Sequence, residues 1–589
     1  MLYESIPEVA RTILRPDEIL ALMNEKEGKG ETPFLPAIDD IERAKAAIAT
    51  TGYLGHVAPV LRNFGLPLKG HYGRYVKDVC RILDEIERGV TGKWAICIPT
   101  GTGKTSTLAV FVTHSSKSIL VAVPNLNSMV EFVQLLKELK ADLARVGCVF
   151  SDDAGNEDAR EMLKELRTTT FSDKRVLLIC HARLTNSRKD WEAMLYRDGK
   201  QRVVCYDESL IYGEVLPFKM ALLKKEYTNL RDYLSPSALS WIEGCKEAIE
   251  KAIVGRVVHL PVPPLNVEAD IAKALVAEKR STGSRKTEVC EVIPTLTKCG
   301  VARKDEDGAF SYVHTLPDNI ETLLVFDASH YHSRISKLDE SIKVLAMEHV
   351  LKWHHDVTIK FDPSGKLGLW SNLEEPTVLR NKQFLARVPE DRVVICFKDA
   401  AHHYDKEPKL TTWGNHAGIN KWRDERNMVL LGALRNSDLG TKGDMALTCN
   451  DLRIDVSGAG ICAYEEQMLN LYQAASRGAM RNAIWKGDTL EADECTIWVS
   501  GNLTRPMQDF LRKVMPGVSI VSLELEEPLA VALTWLEGKT TSVRLCDLFA
   551  ACGVKEWGTN DKRKLVRAIE EIGTWTKPNG LRSLVPLTT

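Results

Sequence analysis

Long apolar runs are missing from this 589-residue chain: no stretch approaches the roughly 20 residues that a membrane-spanning helix needs. The opening residues, Met1-Leu2-Tyr3-Glu4-Ser5, lack both the basic start and the apolar centre of a secretory signal, so a cytoplasmic protein without a membrane partner is expected. None of the 14 cysteines forms a C-x-x-C pair, and His402 and His403 have no cysteine or carboxylate partner at metal-ligand spacing. Cys97, Cys180, Cys205 and Cys396 lie instead inside apolar, strand-like runs, where a thiol acts as a small hydrophobe. A disulfide framework and a zinc module both fit poorly. An excess of one charge is lacking too: 78 basic against 80 acidic residues leave a net charge of −2. The whole molecule therefore offers no electrostatic footprint for nucleic acid, although a translocating motor can confine its positive charge to one groove. Internal repeats of short period and low-complexity tracts are likewise absent.

With 44% hydrophobic and 27% charged residues, what is present reads as ordinary globular protein. The length exceeds what one core supports and implies about three to four domains. Residues 1–90 carry helical periodicity, clearest over 75–86, and are read as an N-terminal helical module. Strands and helices then alternate, with strands expected at 94–98, 118–123, 176–180 and 202–206 and a helix at 128–139, the signature of a parallel α/β sheet. Residues 211–318 break that rhythm with helical stretches at 237–253 and 267–280, a Pro-rich link (Pro261-Val262-Pro263-Pro264) and a basic run at 279–286. A strand at 322–326 then resumes the sheet, so the interval is read as a helical insertion within a first lobe of 91–334. A second α/β lobe follows over 335–510, with strands at 357–361, 393–397, 428–431 and 496–499, and a small separate unit ends the chain over 526–589.

The most informative stretch is Ile98-Pro99-Thr100-Gly101-Thr102-Gly103-Lys104-Thr105, which joins an apolar strand to a helix-like run beginning at Ser106. A Gly-rich turn at that junction is what a nucleotide-phosphate loop requires. The glycines let backbone N–H groups turn inward around phosphate oxygens, and the helix start adds its positive dipole end. Lys104 then reaches the β- and γ-phosphates and the Thr105 hydroxyl is placed to ligate Mg²⁺. Pro99, Thr100, Gly101, Thr102, Gly103, Lys104, Thr105 and Ser106 are thus the candidate ATP-binding residues. Ile98 stands where the strict pattern wants glycine, and an ordinary strand-to-helix turn is the other reading. Downstream, the apolar strand at 202–206 ends in Asp207-Glu208. The first carboxylate can hold the Mg²⁺ shell, and the second can take a proton from an attacking water.

At these residues the chain resembles the superfamily 2 helicases, which pair a loop of type A-x-T-G-x-G-K-T with a D-E-x-x box. Ile98 replaces the alanine, and Leu210 occupies the last box position, so neither the DEAD nor the DEAH spelling is met. Further family elements follow in order. Val121-Ala122-Val123-Pro124-Asn125 and Ile179-Cys180-His181-Ala182-Arg183-Leu184 resemble segments that touch the nucleic-acid backbone. Val325-Phe326-Asp327-Ala328-Ser329 resembles the motif coupling hydrolysis to movement, and the Gly-bearing run 413–420 resembles one contacting strand and nucleotide. Gln473-Ala474-Ala475-Ser476-Arg477-Gly478-Ala479-Met480-Arg481 resembles the Q-x-x-G-R-x-x-R motif that supplies arginine fingers, with Ser476 in a glycine position and Arg481 one residue late. Spaced by four, Gln473, Arg477 and Arg481 would share one face of a helix.

The resemblance covers 91–500 and implies an α/β fold of two tandem RecA-like lobes with ATP and Mg²⁺ between them. It assigns catalytic roles to Lys104, Asp207, Glu208, Gln473, Arg477 and Arg481, with Thr105 and Asp207 as metal ligands. It implies a nucleic-acid helicase or translocase, with DNA favoured and a single strand in the inter-lobe groove. An RNA helicase, or an ATPase switch that clamps nucleic acid without unwinding, remains an alternative. The tail is similar to a winged helix: a short helix at 543–551, a second at 562–572 with Leu565, Val566, Ile569 and Ile572 on one face, and a turn signal at Pro578-Asn579-Gly580. Lys562, Arg563, Lys564 and Arg567 mark its opposite side, which could enter a DNA groove or serve protein docking. The basic run at 279–286 reads as a solvated loop or as a nucleic-acid contact.

Overall fold

The computed structural model describes residues 52–151, 157–186, 188–282, 292–345, 347–414, 421–524, 526–537, 539, 541–552, 559–572, 575–578 and 582–587. Contacts divide the chain into two units: 1–99 with 103–348 and 436–466, and 100–102 with 349–435 and 467–589.

In the first unit, runs of β-branched and aliphatic residues form the strands β1 (Gly92–Ile96), β2 (Ile119–Val123), β3 (Val146–Val149) and β4 (Val176–Cys180). A short hairpin, β5 (Tyr196–Arg197) and β6 (Lys200–Gln201), leads into β7 (Val203–Asp207). The insertion contributes β8 (Gly213–Lys219), β9 (Val257–His259), β10 (Val301–Lys304) and β11 (Gly308–His314), before β12 (Thr322–Phe326) and β13 (Lys343–Val344) return to the main sheet. That sheet has the order β13-β1-β12-β7-β2-β4-β3, with every pairing parallel. Its strands read as near-continuous apolar runs because both faces are covered; β2 is buried throughout.

Element boundaries follow local chemistry. β1 starts two residues before the expected run because it pairs with β12 from Gly92↔Thr322 to Ile96↔Phe326. The helix Leu126–Glu138 starts earlier than its apolar pattern because Asn125 caps it, its side chain accepting from Ser128 N at 3.0 Å. Ser235 likewise caps Pro236–Lys251, with proline in the first turn where no N–H is needed. Among the described residues, two helices precede β1, Gly52–Asn63 and Gly70–Glu87, and the Tyr75 hydroxyl accepts from Cys97 N at 2.8 Å. Besides its helices, the insertion carries an antiparallel sheet of order β8-β11-β10-β9 over its own apolar core. The helix Asp438–Cys449, distant in sequence, also packs on it: a β-carbon on Gly443 would stand 2.2 Å from Val215 Cγ1.

The second unit is built on β14 (Val357–Phe361), β15 (Val393–Cys396), β16 (Leu410–Thr412), β17 (Asn427–Leu431), β20 (Cys495–Ser500) and β21 (Ser519–Ser522), with a hairpin of β18 (Ala483–Lys486) and β19 (Thr489–Ala492). The order β16-β15-β17-β20-β14-β21 is again wholly parallel. The tail adds helices Glu526–Leu536, Leu545–Ala551 and Thr559–Glu571 and three short strands, β22 (Val543–Arg544), β23 (Trp575–Thr576) and β24 (Ser583–Pro586), in the order β22-β24-β23. The chain is thus α/β with two large parallel sheets. Cys97, Cys205 and Cys396 are buried within these cores as small hydrophobes, and desolvation pushes the Cys97 thiol up to about 12. Among the described residues no helix is long and apolar enough to cross a membrane.

Candidate nucleotide site

The loop after β1 ends on a left-handed residue. Gly103 has φ 86 and stands at the cap position of the helix Lys104–His114, where it supplies no side-chain cap bond. A β-carbon there would lie 2.1 Å from Leu61 Cδ2, so both conformation and space demand glycine. Gly103 contributes no capping side chain, and uncapped helix starts of this kind suit anions. Of the predicted loop residues, Pro99 and Gly103, Lys104, Thr105 and Ser106 belong to the first unit, whereas Thr100, Gly101 and Thr102 group with the second.

Lys104 and Thr105 open that helix and meet Asp207, the last residue of β7. Lys104 Nζ lies 3.7 Å from Asp207 Oδ1, and Thr105 Oγ1 donates to the two carboxylate oxygens at 3.3 and 3.2 Å. Since β12 separates β1 from β7 in the sheet, these side chains converge over its C-terminal edge. Asp207 is buried and Lys104 largely so, which strengthens their attraction relative to a surface pair. A hydroxyl beside a carboxylate is a hard oxygen donor set of the kind Mg²⁺ prefers, so Thr105 and Asp207 fit a magnesium ion.

Glu208 adopts φ 80, a region that residues with a β-carbon rarely enter and that costs about 1–3 kcal/mol. Its N–H is held by the Phe326 carbonyl at 3.0 Å. The next residue bridges two strand ends: Ser209 Oγ donates to Asp327 Oδ2 at 3.1 Å, and Asp327 also accepts from Ser329 N at 2.9 Å. The Asp207-Glu208-Ser209 box and the Asp327-Ala328-Ser329 segment are therefore joined directly. His181 begins the helix after β4 and is buried against Tyr206, ring centroids 5.4 Å apart. Desolvation holds its imidazole neutral, down to about 4, against the opposing pull of Glu208. The family resemblance implies a backbone-contacting segment at His181; in the structure its ring packs on Tyr206, beside the carboxylate box.

In the second unit, Gln473 lies in the last turn of the helix Ala459–Ala475, which stops before Arg477. Arg477 N and Gly478 N close that end on the Ala474 and Ala475 carbonyls at 3.1 Å each, Gly478 is extended, and Ala479–Arg481 forms a separate 3₁₀ turn. The expected single helical face for Gln473, Arg477 and Arg481 is therefore not formed. Close packing is the reason: a β-carbon on Gly478 would stand 2.6 Å from Met428 Cγ and 2.9 Å from the Glu425 carbonyl, which itself accepts from Ala479 N at 2.8 Å. Arg477 is buried, and the turn bearing Arg481 is fastened by Lys352, whose ammonium donates to the Met480 and Arg481 carbonyls at 2.8 and 2.9 Å. Burial, with the Arg481 charge, pushes Lys352 down to about 7. Lys352 also donates to the Thr100 carbonyl at 3.0 Å, and nothing in the sequence signals it, since all its partners are backbone carbonyls distant along the chain. Of the run 413–420, residues 415–420 lie outside the described residues, as do 283–286 of the basic run and Asn579-Gly580 of the tail.

No protein-family model matches the chain, and no curated protein sequence does. Among solved structures it is similar to XPD in its apo form, at 10% identity over 75% of this chain and 99% of that one, with a TM-score of 0.45. The helicase Lhr of Mycobacterium smegmatis, bound to ssDNA and AMP-PNP, is similar at 10% identity over 91% of this chain and 61% of that one, TM-score 0.32. Dbp5 of S. cerevisiae, bound to RNA and ADP BeF3, is similar at 10% identity over 77% and 89%, TM-score 0.34. Identities this low carry no residue roles across, and the chemistry rests on this chain's own side chains.

Proposed function

We propose that this protein is an ATP-dependent nucleic-acid helicase or translocase that works on DNA. The convergence of Lys104 and Thr105 on Asp207, with Glu208 held beside them in a strained backbone, carries the reading. The helix start and Lys104 bind the β- and γ-phosphates of ATP. Mg²⁺, held by Thr105 and Asp207, would supply charge neutralisation at those phosphates. Glu208 takes the proton of the attacking water, and its fixed backbone sets the direction of that carboxylate. Arg477 and Arg481 stabilise the charge that grows on the transferred phosphoryl group, with Gln473 positioning that segment. The Ser209–Asp327 bond ties the carboxylate box to the strand end after β12, so a change at the phosphate is felt there.

The preference for DNA is supported by the tail, whose helix, strand, helix, helix and two strands run in the order of a winged helix. ATP hydrolysis measured without nucleic acid and with single-stranded DNA, duplex DNA or RNA tests the reading, alongside strand displacement. Stimulation by single-stranded DNA with unwinding is expected. Stimulation by RNA alone would move the substrate to RNA; hydrolysis indifferent to every nucleic acid would remove the motor.

A further inference from the structure

Within the second unit, Thr100 and Gly101 of the phosphate loop lie backbone to backbone against the turn that carries Arg481. Both loop residues group with that unit, and a β-carbon on Gly101, whose φ is 74, would stand 1.6 Å from the Arg481 carbonyl oxygen. One ammonium joins the two segments. Lys352 Nζ donates to the carbonyls of Thr100, Met480 and Arg481 at 3.0, 2.8 and 2.9 Å, so each of its three N–H donors has an acceptor. The Thr100 hydroxyl also donates to Ser476 Oγ at 3.3 Å, and Ser476 donates to the Tyr472 carbonyl at 2.7 Å. Ser476, the departure from glycine in the arginine motif, thus holds the same loop residue from its other side.

Lys352 is buried, and its partners are neutral carbonyls rather than a carboxylate. A buried cation of this kind is costly, and packing alone would favour an apolar side chain of similar volume. What the lysine adds is a link between backbone atoms that no apolar side chain can join. We propose that Lys352 is a positioning residue for ATP hydrolysis, its ammonium fixing the turn of Arg481 against Thr100 so that the arginine is held ready for the transferred phosphoryl group. The role rests on the hydrolysis proposed above.

The link depends on a proton. Burial and the Arg481 charge push Lys352 down to about 7, with Asp493 pulling the other way. On its own segment, burial holds His354 neutral, and His355 faces Glu491 at 3.5 Å. The unprotonated amine keeps two donors for three carbonyls and turns a lone pair on the third. The link is therefore complete below the folded pKa and loosened as pH rises through it.

Steady-state ATP hydrolysis of the full chain from pH 6 to 9, beside titration with a fluorescent ATP analogue, tests the role. Native turnover should fall on the alkaline side with a midpoint near 7. In Lys352→Met, kcat at pH 6.5 should drop at least about tenfold, the scale of a misplaced catalytic group, while analogue affinity stays within about threefold and the alkaline fall disappears. Asp493→Asn should move the native midpoint to lower pH, because it removes the charge that favours the ammonium. A folded Lys352→Met with native kcat and pH profile overturns the proposal, and so does an equal loss of kcat and analogue affinity, which marks a merely structural residue. If that variant does not fold, a flat native profile, or a midpoint unmoved by Asp493→Asn, overturns it instead. Lys104→Ala separates this role from the reading beneath it. Native turnover in Lys104→Ala defeats the nucleotide-site assignment, whereas an inactive Lys104→Ala beside a fully active Lys352→Met defeats the Lys352 role alone.

Discussion

Glu208 and Glu466 are two carboxylates that the fold holds under opposite kinds of constraint. Glu208 stores backbone strain beside the phosphate loop, and Glu208→Gln should leave that backbone intact while removing the proton acceptor. Nucleotide should then stay bound while steady-state hydrolysis falls at least about 100-fold, the scale of a lost general base. Ordinary turnover in that variant would strip Glu208 of its role. Lys104→Ala should instead weaken ATP binding itself, read by titration with a fluorescent ATP analogue, because it removes the cation beside Asp207. Glu466 is half-buried beside Ser333, whose hydroxyl donates to it at 2.6 Å, and desolvation pushes its carboxyl up to about 7. A carboxyl with a raised folded pKa binds more proton in the native state than in the unfolded one between roughly pH 4.5 and 7. Its contribution is therefore lost as pH rises through that window. Glu466→Gln keeps the acceptor oxygen and cannot ionise, so at pH 8 it should be more stable than the native chain, by an amount on the order of 3 kcal/mol, with the gain vanishing near pH 4.5. Denaturant melts at the two pH values check this; a pH-independent difference would refute it.

At the scale of elements, the turn after the helix Ala459–Ala475 shows why spacing alone misleads. Arginines four residues apart predict a continuous helical stripe, yet Gly478 packs so closely on Met428 and Glu425 that the chain leaves the helix and re-enters as a 3₁₀ turn. Gly478→Ala would force that contact apart. It should cost about 1–3 kcal/mol in thermal or denaturant stability, the scale of overpacking, and lower hydrolysis by displacing Arg477 and Arg481. Preserved stability and activity would mean that the turn tolerates a methyl group. The same contrast runs through the fold. Strands of the two main sheets are legible because burial on both faces makes them short apolar runs between turns. The sheet of the insertion is not: Pro217 interrupts β8, and β10 reads Val-Ala-Arg-Lys, so neither shows clean alternation. The phosphate loop and the Asp207-Glu208 pair are contiguous motifs and can be read directly. The Ser209–Asp327 bond cannot, because it depends on β12 returning between β1 and β7 after a long insertion.

At the scale of the molecule, the tail has an apolar cluster of its own. Its helices and strands enclose their own apolar cluster of Leu529, Leu548, Leu565, Ile569, Trp575 and Leu584, apart from the core beneath β14 to β21. One carboxylate does much of the fastening: Glu571 accepts from both Arg505 and Arg512 of the helix Arg505–Val514. Such a bidentate cluster, about a quarter exposed at Glu571 and Arg512, is partly screened by water, so its removal should cost about 1 kcal/mol. Local opening rates respond to free energies of that size, and Glu571→Ala should raise the open population of the tail roughly fivefold without unfolding either parallel sheet. Limited proteolysis should accordingly cleave between the second sheet and the tail several times faster in the variant, with the global melting midpoint little changed. Equal cleavage rates would show that apolar contacts such as Val521 against the tail cluster, rather than the Glu571 bridge, hold the piece in place.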